Sequence, residues 1–217
     1  MKNTNLKPGK NVIRLSGIIT EIPAFDHTAF GGNFYRTVIS VKRRDGSDDK
    51  LLLKIPEELL TKDIRPGKAV KISGALHSYI EHVKDRKQVK KHGKTHLHVF
   101  ILVRSMKIIS NEDINPFMSN RAHIQGHICS KPLHKQTIFG RDVTDVLVHI
   151  DRPYGRGDTV PCVLWGEAAV KCMNLPIGTE ISVYGRFQNR TYTKHITETL
   201  SETRMVYEVS ALEVEII

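Results

Sequence analysis

The chain has 217 residues, a net charge of +10 from 33 Lys and Arg against 23 Asp and Glu, and 40% hydrophobic residues. This length suffices for one or two domains that each bury a core. No apolar run approaches the roughly 20 residues of a membrane helix, the amino terminus has no apolar signal core, and the three cysteines form no Cys-x-x-Cys pair. We therefore expect a soluble cytoplasmic protein with no membrane segment, disulfide framework or thiolate zinc site.

Strands dominate the predicted elements, because apolar and polar residues alternate along most of the first half of the chain. Proline suits the first position of a helix, so a short helix is expected to begin at Pro56. In chain order we predict strands at 12–22, 34–41, 51–55, 69–79 and 95–109, with a turn-rich loop at 23–32, a hairpin turn at 44–49 and the helix after the third strand.

The second half of the chain repeats this order, with its helix at 166–174. Gly17, Gly31 and Gly74 match Gly126, Gly140 and Gly185, at spacings of 109 to 111 positions. Such a period fits a whole small domain rather than a solenoid repeat. We predict domains at 1–112 and 121–217, joined by a linker at 113–120.

Three strands, a helix and two strands are the order of an OB barrel. The predicted fold class is therefore mainly all-β: two tandem five-stranded OB barrels, each with a short helix between strands three and four. An immunoglobulin-like sandwich, the main rival, needs about seven strands and no helix. The strand glycines are expected to relieve bending in strongly coiled strands.

The positive charge lies in the first copy, since residues 1–115 hold 22 basic and 12 acidic side chains while 116–217 hold 11 of each. Its densest part, 82–94, is either a solvated loop or a phosphate-binding hairpin. This basic run connects strands four and five, a loop with which OB folds bind oligonucleotides, which favours phosphate contact. Its basic residues are Lys84, Arg86, Lys87, Lys90, Lys91 and Lys94.

The fourth strand of the second copy, 181–194, carries aromatic and basic residues on one face and apolar residues on the other. Side chains of these types stack on unpaired bases and contact phosphates, although an ordinary solvated strand face is the simpler interpretation. Trp165 ends the third strand and is either a core residue or part of the same surface. The candidate residues on this strand are Tyr184, Arg186, Arg190, Tyr192 and Lys194, and those on the preceding loop are Arg152, Tyr154 and Arg156.

Residues 121–216 resemble a bacterial single-stranded DNA-binding protein domain. The resemblance rests on Trp-Gly at 165–166, Gly-Thr at 178–179, Tyr-Gly-Arg at 184–186 and Arg-Thr-Tyr at 190–192, all in register. It implies that Tyr154, Trp165 and Tyr192 stack on bases. The two-copy layout is similar to the tandem-domain members of that family in clostridia and related Firmicutes. Since single-domain relatives assemble four OB folds, the resemblance also implies a homodimer.

The first copy departs from this pattern, because Asp45, Pro56 and Glu81 stand where the second copy has its three stacking aromatics. It keeps Phe34, Tyr35 and Tyr79, and the phase of these residues places at least some of them in the core. We therefore expect the second copy to bind bases and the first to bind the phosphate backbone.

Five histidines flank the basic run: His77, His82, His92, His96 and His98. No cysteine or helix-borne pair completes a metal-ligand set, so a polar strand face that gains charge below a pKa of about 6.5 is expected. Cys129, Cys162 and Cys172 are interpreted as small buried hydrophobic residues. No metal or cofactor is predicted.

The leading hypothesis is binding and protection of single-stranded DNA without sequence preference in replication, recombination or repair. One alternative is an accessory module that docks on a replication or recombination enzyme, and another is single-stranded RNA binding. An enzyme is not expected, because we find no paired carboxylates, activated nucleophile or phosphate-binding glycine loop. Members of the family that the chain resembles commonly end in an acidic tail that recruits repair enzymes, whereas this sequence ends inside its predicted last strand, so recruitment by that route is not expected.

Overall fold

A computed structural model describes residues 10–83, 94–152, 156–195 and 201–217, with the backbone alone for 82–83, 94, 192–195 and 201–204. The first copy has six strands: β1 (Asn11–Ile19), β2 (Ala24–Ala29), β3 (Gly32–Lys42), β4 (Asp48–Pro56), β5 (Ala69–Val83) and β6 (Lys94–Ile108). The second has β7 (Asn120–Ile128), β8 (Leu133–Gln136), β9 (Asp142–Asp151), β10 (Gly157–Trp165), β11 (Glu180–His195) and β12 (Ser201–Ile216), with helix α1 (Glu167–Cys172) after β10. Single 3-10 turns lie at Glu57–Leu59 and Asn111–Asp113.

Each copy closes into a five-stranded OB barrel. In the first, β1 pairs antiparallel with both β3 and β5, and the parallel pairing of β4 with β6 completes the circuit. In the second, β7 pairs with β9 and β11, and β10 pairs parallel with β12. The protein therefore consists of two tandem OB folds, as the strand order predicts.

The barrels are joined edge to edge into one twelve-stranded sheet. Their first strands, β1 and β7, run antiparallel, with Asn11 opposite Ile124 and Leu15 opposite Asn120. Asn11 and Asn120 occupy equivalent places, because each bonds through its side-chain amide to the backbone of the fourth strand of its own barrel, at Leu76 and Phe187. The two copies are thus related by an approximate two-fold axis between β1 and β7.

The barrel cores follow the predicted alternation. On β4 the side chains of Leu51, Leu53 and Ile55 are fully buried while Lys54 between them points outward. On β11 Ile181, Val183 and Phe187 are fully buried, so the neighbouring residues of that strand face out.

Four strand glycines mark places where two backbones come too close for any side chain. A Cβ at Gly17 or Gly126 would overlap the carbonyl oxygen of Ser40 or His149, where the first strand of each barrel crosses the second. A Cβ at Gly74 or Gly185 would overlap a backbone carbonyl oxygen of β6 or β12, the last strand of its barrel, beside a bulge in each ladder. Close approach between strands therefore requires these glycines, in addition to the bending that the sequence suggested.

Two local predictions differ from the structure. The loop expected at 23–32 contains β2, which forms a hairpin arm with β3, and β8 forms the matching arm of the second copy. The helix expected after Pro56 is one 3-10 turn, whereas the second copy has an α-helix that buries Ala168, Ala169 and Cys172.

Candidate nucleic-acid interface

Several predicted site residues lie outside the described residues: Lys84, Arg86, Lys87, Lys90, Lys91 and Tyr154. For three others, Lys94, Tyr192 and Lys194, the backbone alone is described, as part of β6 and β11. Their roles remain predictions. The structure provides side-chain geometry for Trp165, Tyr184, Arg152, Arg156, Arg186 and Arg190.

Trp165 is the last residue of β10, separated from α1 by Gly166, and its side chain is only partly buried. The indole N–H donates a hydrogen bond of 3.0 Å to the hydroxyl of Ser210 on β12. The guanidinium of Arg141 lies 5.1 Å from the ring centroid, a cation–π distance. Trp165 is therefore held in one orientation at the surface, and it is not a core residue.

Tyr184 lies on the outer face of β11, where the joined sheet continues across β7. Its ring stacks on His123 with centroids 4.0 Å apart, and its hydroxyl donates to Glu215 at 3.3 Å. The two rings border a shallow cleft with Arg14 and Arg121. The cleft spans the junction of the two copies, so Tyr184 belongs to a surface that both barrels build.

Arg190 and Arg156 differ in their surroundings. Arg190 is exposed, and its guanidinium donates to the nearly buried carboxylate of Glu208 at 3.2 and 3.3 Å. Arg156 is exposed, just before β10, and its carbonyl accepts a hydrogen bond from the backbone of Arg152. Arg190 lies on β11, the strand of Tyr192, and Arg156 directly precedes β10, the strand of Trp165.

Arg186 lies at the junction between the barrels, on the buried carboxylate of Asp49. Asp49, at the start of β4, is fully buried and accepts hydrogen bonds from Arg43 at 2.5 and 3.0 Å and from Arg186 at 2.5 Å. The bond to Asp49 raises the pKa of the Arg43 guanidinium. Asn189 completes the junction, because its side-chain oxygen accepts from the backbone N–H of Lys50 at 2.8 Å. Asp49, Arg43, Arg186 and Asn189 form what we call the first latch.

The two-fold axis generates a second latch around Asp158, the equivalent of Asp49. Asp158 is buried and bonds to Arg152 and to the backbone N–H of Ser78 on β5. The hydroxyl of Ser78 accepts from the backbone N–H of Thr159 at 2.7 Å, as Asn189 does for Lys50 in the first latch. Each barrel therefore contributes one buried carboxylate that also bonds to the other barrel, and Arg152 and Arg186 both bind these carboxylates.

The first copy carries an aromatic cluster that was not among the predicted site residues. Tyr79 is exposed and stacks on His98, with Phe100 and Lys54 beside them. Tyr79 is thus a surface residue, while Phe34 and Tyr35 are partly buried near β2. The signal available in the sequence was the alternation of β5 and β6, which places Tyr79, His98 and Phe100 on one face.

Histidine and cysteine environments refine the remaining expectations. Burial lowers the pKa of His77 to about 4, so this imidazole does not add charge just below pH 6.5 as predicted. Burial raises the pKa of Cys172 to about 11 and also raises that of Cys162. Cys129, by contrast, is exposed, and its prediction as a buried residue is wrong. Within the described part of the chain, no three His, Cys, Asp or Glu side chains are grouped as metal ligands.

The fold and these surfaces define a tandem OB-fold protein with aromatic and basic side chains on its outer strands. Residues 119–217 match the family model described as the single-strand binding protein family, and the second copy belongs to that family. No curated protein sequence matches the chain. No helix in the described residues is long and apolar enough to cross a membrane.

Solved structures match over nearly the whole chain. The wild-type single-stranded DNA binding protein from Thermus aquaticus has a TM-score of 0.70 and 17% identity, with coverage of 97% of this chain and 94% of that one. A deletion mutant of the same protein has a TM-score of 0.70 and 17% identity, with coverage of 97% of this chain and 95% of that one. At this identity the likeness concerns the fold, and it extends to both copies.

Proposed function

We propose that the protein binds single-stranded DNA without sequence preference and protects it during replication, recombination or repair. The observation that carries this proposal is that the second copy belongs to the single-strand binding protein family. The surface position of Trp165, the one described member of the predicted stacking set with a placed side chain, supports it. The proposed activity is binding alone, with no chemical step.

The two copies have different roles in this proposal. In the second copy, Trp165, Tyr154 and Tyr192 stack on bases, a contact that every base can make and that requires an unpaired strand. In the first, the basic run contacts phosphates and releases counterions. The proposed domain limits are 1–112 and 121–217, with 113–120 as the linker.

The latches change the proposed set of DNA contacts. Arg152 and Arg186 already bind the buried carboxylates of Asp158 and Asp49, and a buried carboxylate that loses a charged partner is destabilising. We therefore assign them primarily to the junction of the barrels. Arg156, which is exposed, is the better candidate for phosphate contact in the second copy, whereas Arg190 already binds the nearly buried carboxylate of Glu208.

Direct binding tests the proposal. A fluorescein-labelled oligo(dT) should show saturable anisotropy changes with the protein, and unlabelled single strands should compete much better than a duplex of the same sequence. Matched RNA in the same assay separates DNA binding from RNA binding. Competition by duplex as effective as that by single strands would contradict the proposal.

Assembly and partners extend the proposal. Two chains are expected to associate so that four OB folds act together, in the cytoplasm and near the nucleoid, with replication or recombination enzymes as partners. Sedimentation of the free protein tests the dimer. Pull-down in high salt, with and without nuclease, distinguishes an enzyme partner from one bridged by DNA.

A further inference from the structure

The outer face of β4, β5 and β6 in the first copy carries a compact aromatic group, which we call the Tyr79 platform. It consists of Tyr79, His98, Phe100 and Lys54. The rings of Tyr79 and His98 are 4.7 Å apart and inclined by only 11°, and Phe100 lies 6.3 Å from Tyr79. Tyr79 keeps 49% of its surface exposed, so its ring remains accessible.

The strand pattern explains why these side chains face outward together. Leu76 on β5 and Ile101 on β6 are fully buried. Residues an odd number of positions away from them face outward, and these include Tyr79, His98 and Phe100. Tyr79 and His98 are direct partners in the antiparallel ladder, a spacing at which rings contact each other. The platform is therefore built on paired strands and not on a loop.

Lys54 supports this aromatic surface through cation–π contacts. Its ammonium lies 4.5 Å from the centroid of Phe100 and 5.6 Å from that of Tyr79. A salt bridge of 2.8 Å to Asp26 on β2 holds it there. These contacts fix the rings in place, and accessible aromatic rings are the surface on which unpaired bases stack.

At the equivalent place in the second copy, the described side chains form no such platform. The parallel ladders align Ile101 with Leu53 in one barrel and Val209 with Cys162 in the other. By this alignment Phe100 corresponds to Glu208 and, on the fourth strand, Tyr79 to Arg190. An ion pair thus stands where the first copy has stacked rings.

We propose that the Tyr79 platform is a second base-stacking site, at which an unpaired nucleotide of bound DNA stacks on Tyr79. This inference rests on the proposed single-stranded DNA binding. It assigns base contacts to the first copy, for which the sequence had predicted phosphate contacts alone. A strand bound to both barrels then has a stacking site on each.

A local fluorescence probe tests this site. Trp165 is the one tryptophan of the chain, so the double variant Trp165→Phe, Tyr79→Trp reports from the platform alone. Addition of oligo(dT) long enough to reach both copies should quench its emission. A matched variant, Trp165→Phe with Phe117→Trp, has an exposed reporter outside the platform and should respond much less.

The outcomes separate this inference from the proposed function. If wild-type protein binds oligo(dT) by anisotropy but the Tyr79→Trp reporter is not quenched, the platform proposal is wrong and the proposed function stands. If wild-type protein does not bind, the proposed function itself fails.

Affinity gives a second readout. Tyr79→Ala should weaken binding of the long oligo(dT) about tenfold, which corresponds to about 1.4 kcal/mol, and Tyr79→Phe should retain wild-type affinity. Because Tyr79 is half exposed, Tyr79→Ala is expected to fold. Equal affinities of the Ala and Phe variants would overturn the stacking role.

Discussion

At the scale of single residues, two buried carboxylates determine what the nearby arginines do. Asp49 and Asp158 are 0% and 1% exposed, and each lies at the junction of the two barrels. Alternation along β11 correctly places Arg186 on the outer face, but it does not reveal that Asp49 of the other copy lies against that face. A sequence pattern specifies orientation within a strand, whereas the partner 137 positions away is a matter of tertiary structure.

The latch interpretation predicts that Arg186 matters for stability more than for DNA affinity. Arg186→Ala should lower the free energy of unfolding by about 2 kcal/mol, because Asp49 loses one of its two charged partners. Arg156→Ala, on an exposed side chain, should cost almost nothing. Urea unfolding of both variants measures this. Unchanged stability of Arg186→Ala together with weaker oligo(dT) binding would instead support direct DNA contact.

His77 predicts a pH dependence of stability. Its pKa is about 4 in the folded protein, because of burial, against about 6.5 when unfolded. Between about pH 6.5 and pH 4 the unfolded chain binds a proton at His77 that the folded protein does not bind. The free energy of unfolding therefore falls as the pH drops through this range. From pH 7 to pH 5 the loss due to His77 should be roughly 2 kcal/mol.

The variant His77→Gln tests this contribution, because it removes the titrating imidazole and leaves a polar side chain next to Asp158. Urea unfolding at pH 7 and pH 5 should show a smaller loss for the variant than for wild type. Identical losses would show that His77 does not carry the effect.

At the scale of elements, burial decides which strands could be predicted. β1 and β4, and the second half of β3, bury every second side chain, so alternation reveals them. β2 and β8 bury no side chain completely and are held by backbone pairing with the next strand, so they leave no such pattern. Burial also separates the two helical segments. Helix α1 buries three side chains, whereas Glu57–Leu59 buries none and forms only a 3-10 turn.

The β2–β3 arm ends in an unfavourable turn residue. Phe30 and Gly31 have φ of 52° and 77°, and Phe30 is fully exposed at 106%. Both central residues of this two-residue hairpin thus have positive φ, where Asn and Gly are preferred. Phe30→Asn should raise the free energy of unfolding by roughly 1 kcal/mol.

Thermal unfolding compares Phe30→Asn with Phe30→Ala, which removes the ring without favouring positive φ. The Asn variant should be the more stable of the two. A lower stability for Asn than for Ala would contradict this account of the turn.

At the scale of the whole molecule, the repeat and the charge asymmetry were visible in the sequence, but the joined sheet was not. The pairing of β1 with β7 links residues more than 100 positions apart, and no local pattern specifies it. The stacking surface of the first copy was missed for a related reason. Its members come from three strands, and only the closed barrel brings Tyr79, Phe100 and Lys54 together.

The unequal charge of the two copies predicts how salt acts on binding. Replacing Lys87, Lys90 and Lys91 with Ala should reduce the slope of log K against log salt concentration by about 2, at about 0.7 per phosphate contact on single strands. Tyr192→Ala should weaken binding and leave the slope nearly unchanged, because stacking releases few ions. Anisotropy titrations over a range of salt concentrations measure both. An unchanged slope in the triple variant would remove the basic run from the DNA path.

The central claim is that unpaired bases stack on the surface of the second copy. Titration of the wild-type protein with poly(dT), followed by the fluorescence of its one tryptophan, tests this claim most directly, because Trp165 lies on that surface. We predict strong quenching that saturates at a fixed number of nucleotides per chain and that duplex DNA does not reproduce. Emission that stays constant through saturating poly(dT) would contradict the stacking role of Trp165.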